Sequence, residues 1–240
     1  MHPLSASTLL EVWERGVGQA PVERALTLLS ATAEESLDGL RELSVGQRDA
    51  GLMALYQGLF GDTLHAFAEC PECGERLEYT ISTRDLDMNP SIHENSEALT
   101  LECGGALLRL RLPDSRDLAV ASQFDSVDAA RQSLARRCIV SADGLDAGEL
   151  SDAVVEQIAR QLAKADPRAE TLIHLTCAVC SYQWRVVLDI ERFLWVKVSA
   201  LAKRLLREVH VLARTYGWRE ADILAMTAAR RQLYLEMAGA

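Results

Sequence analysis

The chain has 240 residues, 49% of them hydrophobic, and a formal net charge of −10. That length can bury a sizeable core in one domain or two, and no run of about 18 uncharged apolar residues offers a membrane span. The negative balance argues against non-specific nucleic-acid binding, which feeds on positive charge.

The residues up to about Phe67 read as helical. Ser7 is a candidate cap for a short helix through Leu9, Leu10 and Val12. Pro21 suits the first turn of a second helix, Val22 to Ala31. Ser44-Val-Gly-Gln47 reads as a capping box before a third helix carrying Leu52, Leu55, Tyr56 and Leu59, which Gly61 ends. From Cys70 the pattern changes. Leu77, Tyr79 and Ile81 alternate with polar residues as a strand does. Asp85 to Glu97 reads as a polar surface loop with a turn at Asn89-Pro90. Leu99 to Leu112 alternates well and predicts a strand pair or one bent strand, with Gly104-Gly105 at the turn or bulge. Pro113-Asp114-Ser115 closes it.

Two further helices are expected, Val127 to Arg137 after Asp125 and Ser126, and Ala153 to Lys164 with Ser151 as cap and Val154, Val155, Ile158 and Leu162 on one face. Asp166-Pro167 stops the second. Leu172 to Thr176 and Trp184 to Leu188 read as a strand and its return. The clearest element is a helix from Ile190 to Tyr216, roughly 40 Å long at about 1.5 Å per residue. Its apolar face is Leu194, Val198, Leu201, Leu205, Val209, Leu212 and Tyr216, widened by Phe193, Val196 and Ala200. Asp189 is its N-cap and Gly217 its stop. Two short helices follow, Trp218 to Leu224 and a last one capped by Thr227, with Leu233 and Tyr234 facing inward.

Two Cys-x-x-Cys steps carry the site chemistry. Cys70 and Cys73 form one and Cys177 and Cys180 the other, with Cys177 104 positions after Cys73. Four thiolates are the ligand set of a tetrahedral structural zinc, and each step supplies half of it. A thioredoxin-like redox centre needs its Cys-x-x-Cys at a helix N-terminus, whereas strand-like residues flank both steps here. A catalytic zinc keeps one position open, and four thiolates fill all four. The second step lacks proline and glycine, having Ala178-Val179 and Ser181. Glycine relieves a strained turn, so this half-site is expected to be the looser one.

The N-terminus, MHPLSASTLLEVWERG, lacks a basic flank before an apolar run. With no signal peptide the expected compartment is the cytoplasm, where six cysteines serve metal binding or burial rather than disulfides. Cys103 and Cys138 read as small buried side chains. His174 and His210 read as core or surface histidines within strand and helix patterns, and His93 as a loop residue in solvent. No Ser-His-Asp order, phosphate-binding glycine loop or paired carboxylate stands out, so no enzyme is expected. Charge is uneven: Ile190 to Ala240 holds nine Lys/Arg and five Asp/Glu, or +4, which leaves −14 for the rest. Such a basic helical tail either docks on an acidic protein surface or is a solvated helix face.

The expected architecture is α+β: predominantly helical, with a small zinc-ribbon-like antiparallel β part and a long C-terminal helix followed by two short ones. Its regions are 1–67 (helical), 68–189 (zinc-knuckle β region with inserted helices) and 190–240 (helical), joined by the metal site into one compact unit.

Taken together, several motifs resemble the T-even-type phage baseplate family of contractile tails and related injection particles. They are Ser44-Val-Gly-Gln-Arg-Asp49, Cys70-Pro-x-Cys-Gly74, Asp166-Pro-x-Ala-Glu170, Phe193-Leu-Trp195, Glu208-Val-His210, Leu212-Ala213, Tyr216-Gly-Trp218, Ala221-Asp-Ile-Leu224, Arg230-Arg231 and Tyr234-Leu235. The resemblance covers nearly the whole chain. It implies a non-enzymatic factor that builds or completes the baseplate hub, partnered by hub or spike proteins, with zinc as a local staple and no catalytic residues. Arg230, Arg231 and Tyr234 of the closing motif, with Arg204 and Arg207, form the expected docking surface; the alternative is that these arginines cap and solvate a helix. Neither nucleic acid nor membrane is expected as a partner. Two other readings remain open: a structural subunit retained in the finished baseplate, and a zinc-ribbon regulatory or nucleic-acid-binding protein, against which the charge and the lack of basic–aromatic interleaving count.

Overall fold

A computed structural model describes residues 4–86, 99–103, 106–143 and 150–239. The expected Asn89-Pro90 turn, the loop residues 87–97 with His93, and the Gly104-Gly105 turn lie outside the described residues. In chain order the helices and strands begin with α1 (Ala6–Gly16), α2 (Pro21–Ser30), α3 (Leu37–Glu42), α4 (Val45–Phe60), β1 (Thr63–Glu69) and β2 (Arg76–Ser82). Next come β3 (Leu99–Cys103), β4 (Ala106–Leu110), α5 (Ser115–Ala121), α6 (Val127–Cys138), β5 (Ile139–Asp143) and α7 (Asp152–Ala165). The chain ends with β6 (Leu172–Thr176), β7 (Gln183–Val187), α8 (Ile190–Tyr216), α9 (Glu220–Leu224) and α10 (Ala228–Met237). The fold is α+β and mainly helical, with small antiparallel sheets, a long C-terminal helix and two short ones after it. No helix among the described residues is long and apolar enough to cross a membrane.

Contacts divide the chain into two compact units, one of residues Met1–Glu35 with Asp189–Ala240, the other of Ser36–Leu188. In the first, α8 is the spine. Asp189 accepts the N–H of Arg192 at 3.0 Å, and Gly217 ends the helix in the left-handed region at φ 70°, its N–H returning to the Ala213 carbonyl. Leu194, Val198, Ala202, Leu205 and Leu212 of α8 are buried, as are Leu9, Leu10 and Val12 of α1 and Leu26, Leu28 and Leu29 of α2. Ser5, not Ser7, caps α1, accepting the N–H of Thr8 at 3.1 Å. Either serine suits the preference; the backbone bends to extended at Ser5. At Gly16 the Trp195 ring comes so close that a Cβ would lie 2.5 Å from it. The same ring lies beneath Arg24, whose guanidinium sits 5.0 Å from the ring centroid and also pairs with the buried Glu191 at 2.5 Å. A second cluster, Leu212, Ile223 and Leu235 with Val209, Tyr216, Trp218 and Tyr234, folds α9 and α10 onto the end of α8. Leu235 holds the inward position on α10; Leu233 is 59% exposed, contrary to its expected place.

In the second unit the Ser44 capping box is complete: the Ser44 hydroxyl accepts from Gln47 N–H at 3.2 Å and the Gln47 side chain accepts from Ser44 N–H at 2.9 Å. Gly61, at φ 82°, ends α4. The residues after it are a strand, not the helix expected as far as Phe67. Thr63 to Glu69 alternates in burial about Leu64 and pairs antiparallel with β2, Leu64 opposite Ile81 and Ala68 opposite Leu77. The run is too short for periodicity alone to separate it from a helix end, and its pairing partner decides it. The strands β3, β4 and β5 form a sheet, and β6 pairs with β7. Leu108, Leu110, Ala135, Leu150, Val155 and Ile158 form a core between that three-stranded sheet and helices α6 and α7.

Three short elements, α3, α5 and β5, go beyond the sequence reading. Asp114, read as part of a closing turn, caps α5 by accepting from Arg116 and Asp117 N–H, while Asp117 accepts from Asp114 N–H at 3.0 Å. Asp117 is fully buried and also receives Arg111 at 2.5 Å and Arg137 at 2.7 Å. Burial raises the pKa of this carboxyl, but hydrogen bonds from Arg111, the Asp114 N–H and Arg137 outweigh it and hold it at about 2. Asp166, past the end of α7, accepts the N–H of Gly46 at 2.9 Å. A Cβ on Gly46 would lie 1.9 Å from that carboxylate, so glycine is required by the close approach.

Candidate metal centre

Each Cys-x-x-Cys step sits at the tip of a two-stranded hairpin, β1–β2 for the first and β6–β7 for the second. The two tips share one hydrogen-bond pattern. Cys70 N–H donates to Glu75 O at 2.8 Å and Gly74 N–H to Cys70 O at 2.9 Å; Cys177 N–H donates to Tyr182 O at 2.9 Å and Ser181 N–H to Cys177 O at 3.0 Å. The residue after the second cysteine is left-handed in both, Gly74 at φ 72° and Ser181 at φ 62°. The second knuckle therefore makes the same turn without glycine. Turn geometry needs the positive φ, and serine adopts it at a cost glycine does not carry.

All four sulfurs lie within 4.8 Å of one another. Cys70 Sγ is 3.6 Å from Cys180 Sγ, and Cys73 Sγ is 3.6 Å from Cys177 Sγ. Four ligands about 2.3 Å from a tetrahedral zinc stand roughly 3.8 Å apart, so the spacing suits one ion. Cys70 and Cys177 are buried and Cys73 and Cys180 exposed. The backbone N–H of Cys180, outweighing burial, and that of Val179 bring the Cys177 thiol down to about 7. At Cys73 the N–H of Glu75 favours the thiolate, yet the neighbouring cysteines hold the group up at about 12. Four sulfurs this close resist joint ionisation unless a cation sits among them. The set can hold one metal ion, and with four thiolates bound it leaves no position for substrate.

Cys103 and Cys138 are buried, and burial pushes the Cys138 thiol up to about 12. His174 and His210 are exposed. The expected docking residues divide. Arg204 and Arg207 of α8 and Arg230 of α10 are exposed. Arg204 pairs with Glu208 at 3.3 Å, and Arg230 lies over the Tyr234 ring at 5.7 Å. Tyr234 is half-buried against Tyr216 and Trp218. Arg231, expected to face outward, is 5% exposed. It pairs with Glu208 at 3.0 Å and donates to the Met226 carbonyl at 2.6 Å, joining α10 to α8. Its neighbour in sequence points elsewhere because adjacent helical positions lie about 100° apart. The sequence pattern assigned no pairing role to Glu191, which is buried, or to Glu208, which is half-buried; a carboxylate bordering the apolar stripe of a helix was the available signal for a paired acid.

The fold is mainly helical, and two hairpin tips bring four cysteines into one cluster that could hold a metal ion. The family model described as T4 bacteriophage base plate protein matches residues 22–195, and the chain belongs to that family. The match includes both knuckles and Phe193-Leu-Trp195, and it ends before the resembling motifs of Glu208 to Leu235. No curated protein and no solved structure matches the chain.

Proposed function

We propose that this protein is a non-enzymatic factor or component of the baseplate hub in a contractile phage tail or phage-tail-like injection particle. The observation that carries the reading is the family match over residues 22–195. A site whose clustered ligands among the described residues are four cysteines supports it, because such a site staples a fold and has no place for a substrate. Cys70, Cys73, Cys177 and Cys180 would hold one structural zinc, joining two hairpins far apart in sequence. Partners would be hub or spike proteins of the same particle, met through exposed groups of the C-terminal helices such as Arg204, Arg207, Arg230 and Tyr234. Protein made in the cytoplasm would then be carried into the particle or released once the hub is complete.

Deletion of the gene tests the role, followed by quantitative mass spectrometry of purified particles. Deletion is expected to abolish functional particles while sheath and tube proteins are still made; normal, firing particles would refute the reading. A fixed stoichiometry in wild-type particles identifies a retained subunit, and absence from them a transient assembly factor.

A further inference from the structure

The solvent face of α8 carries a line of cations that the fold does not use. Arg192, Lys203, Arg207 and Arg214 are all exposed, and His210 stands among them. At about 100° per residue these five positions fall within roughly 60° of the helix circumference, along roughly 33 Å of its axis. No acid lies on that line. The two acids of α8 are spent elsewhere: Glu191 on Arg24, and Glu208 on Arg204 and Arg231. Among the described residues, no carboxylate pairs with Arg192, Lys203, Arg207 or Arg214. Val196, 59% exposed, lies on the line, and Leu206 lies at its edge. A chain with ten more negative than positive charges thus keeps one narrow positive ridge without counter-charge.

We propose that this ridge is a docking surface for an acidic face of another protein, one presenting a row of carboxylates along a helix. Complementary charge of this kind sets orientation and encounter rate, and Val196 and Leu206 offer the apolar contact that a protein partner can meet. Nucleic acid fits less well. The line presents no tryptophan, tyrosine or phenylalanine for base stacking, and the net charge of −10 repels an extended polyanion beyond the ridge. The ridge includes Arg207 of the partner surface proposed above and so rests on that reading, while a binding test on the isolated chain needs no particle and can fail independently of it.

The probe is a synthetic helical peptide with glutamates along one face, compared with an isomer of equal composition whose glutamates are spread around the helix. Binding to the full chain is followed by fluorescence anisotropy between roughly 50 and 300 mM salt. Wild type should bind the striped peptide about tenfold tighter than the isomer, with affinity falling as salt rises. A Lys203→Glu, Arg207→Glu, Arg214→Glu variant should lose about tenfold or more, and a variant of equal charge change, Arg15→Glu, Arg109→Glu, Arg185→Glu, should not. The neutral Lys203→Gln, Arg207→Gln, Arg214→Gln variant serves if thermal melts show the reversed ridge unfolded. Unchanged binding in a folded ridge variant, or equal affinity for the isomer, would overturn the proposal. Tighter binding to duplex DNA would make the ridge a nucleic-acid face instead. A salt-sensitive oligomer that only the ridge variant dissolves would make the occupant a second copy.

Discussion

Ser181 stands where the first knuckle has Gly74, and both are left-handed. An L side chain in that region costs about 1–2 kcal/mol, and glycine gives back part of the difference through its looser unfolded chain. Ser181→Gly is therefore expected to stabilise the protein by about 0.5–1 kcal/mol, read as a raised midpoint in denaturant. A lowered midpoint would mean that the serine hydroxyl matters at the knuckle. Asp117 makes a second residue-scale test. Its folded pKa of about 2 lies below the ordinary carboxylate value. Its contribution is therefore complete above pH of about 4 and is lost as pH falls from there through about 2. Asp117→Asn should cost about 1.5–3 kcal/mol at neutral pH and flatten the acid limb of the stability profile. An acid limb identical to wild type would show that Asp117 is already protonated in the folded protein.

Among the elements, α8 and α10 are held together by more than their apolar cluster. Arg231 is buried and reaches both Glu208 on α8 and the Met226 carbonyl, whereas Arg230 lies in solvent over Tyr234. Removing one partner of a buried pair leaves the other charge uncompensated, a loss of up to about 3–5 kcal/mol. Arg231→Ala is expected to lower the melting temperature clearly and Arg230→Ala to leave it within experimental scatter. Equal melts for the two would mean that Glu208 is satisfied by Arg204 alone. Leu205→Ala, in the middle of the buried face of α8, sets the scale for comparison at about 2–5 kcal/mol.

At the scale of the molecule, the four cysteines cluster at the tips of two hairpins of the second unit, with Cys177 104 positions after Cys73. Closing a loop of that length restricts the unfolded chain, and the binding free energy of a structural metal is partly folding free energy. Freshly purified protein is expected to contain about one zinc per chain by elemental analysis. Chelation or Cys177→Ser should release it and loosen the Ser36–Leu188 unit. Wild type without zinc would end the metal proposal. Full zinc content in the Cys177→Ser variant would place the ion elsewhere.

Local chemistry carried much of this in the sequence itself. The bounds of α8 follow from its 3.6-residue stripe with Asp189 before it and Gly217 after it, and the Ser44 box and both Cys-x-x-Cys steps are short-range patterns that need no partner to be read. Their convergence was legible too, because half a tetrahedral site requires another half, and the four sulfurs do lie together. What lay beyond the sequence depends on neighbours far along the chain. The strand at Thr63 to Glu69 exists through its pairing with β2, and β5 through its place beside β4. Arg231 is buried while Arg230 is not, because Glu208 and the Met226 carbonyl lie on one side of α10 only. Gly46 is needed because Asp166, 120 residues later, occupies the space a side chain would take. Periodicity and caps act within a few residues, so the sequence exposes them directly. Strand pairing, the choice of which charge is buried, and close backbone approach are decided by atoms that only the folded chain brings together.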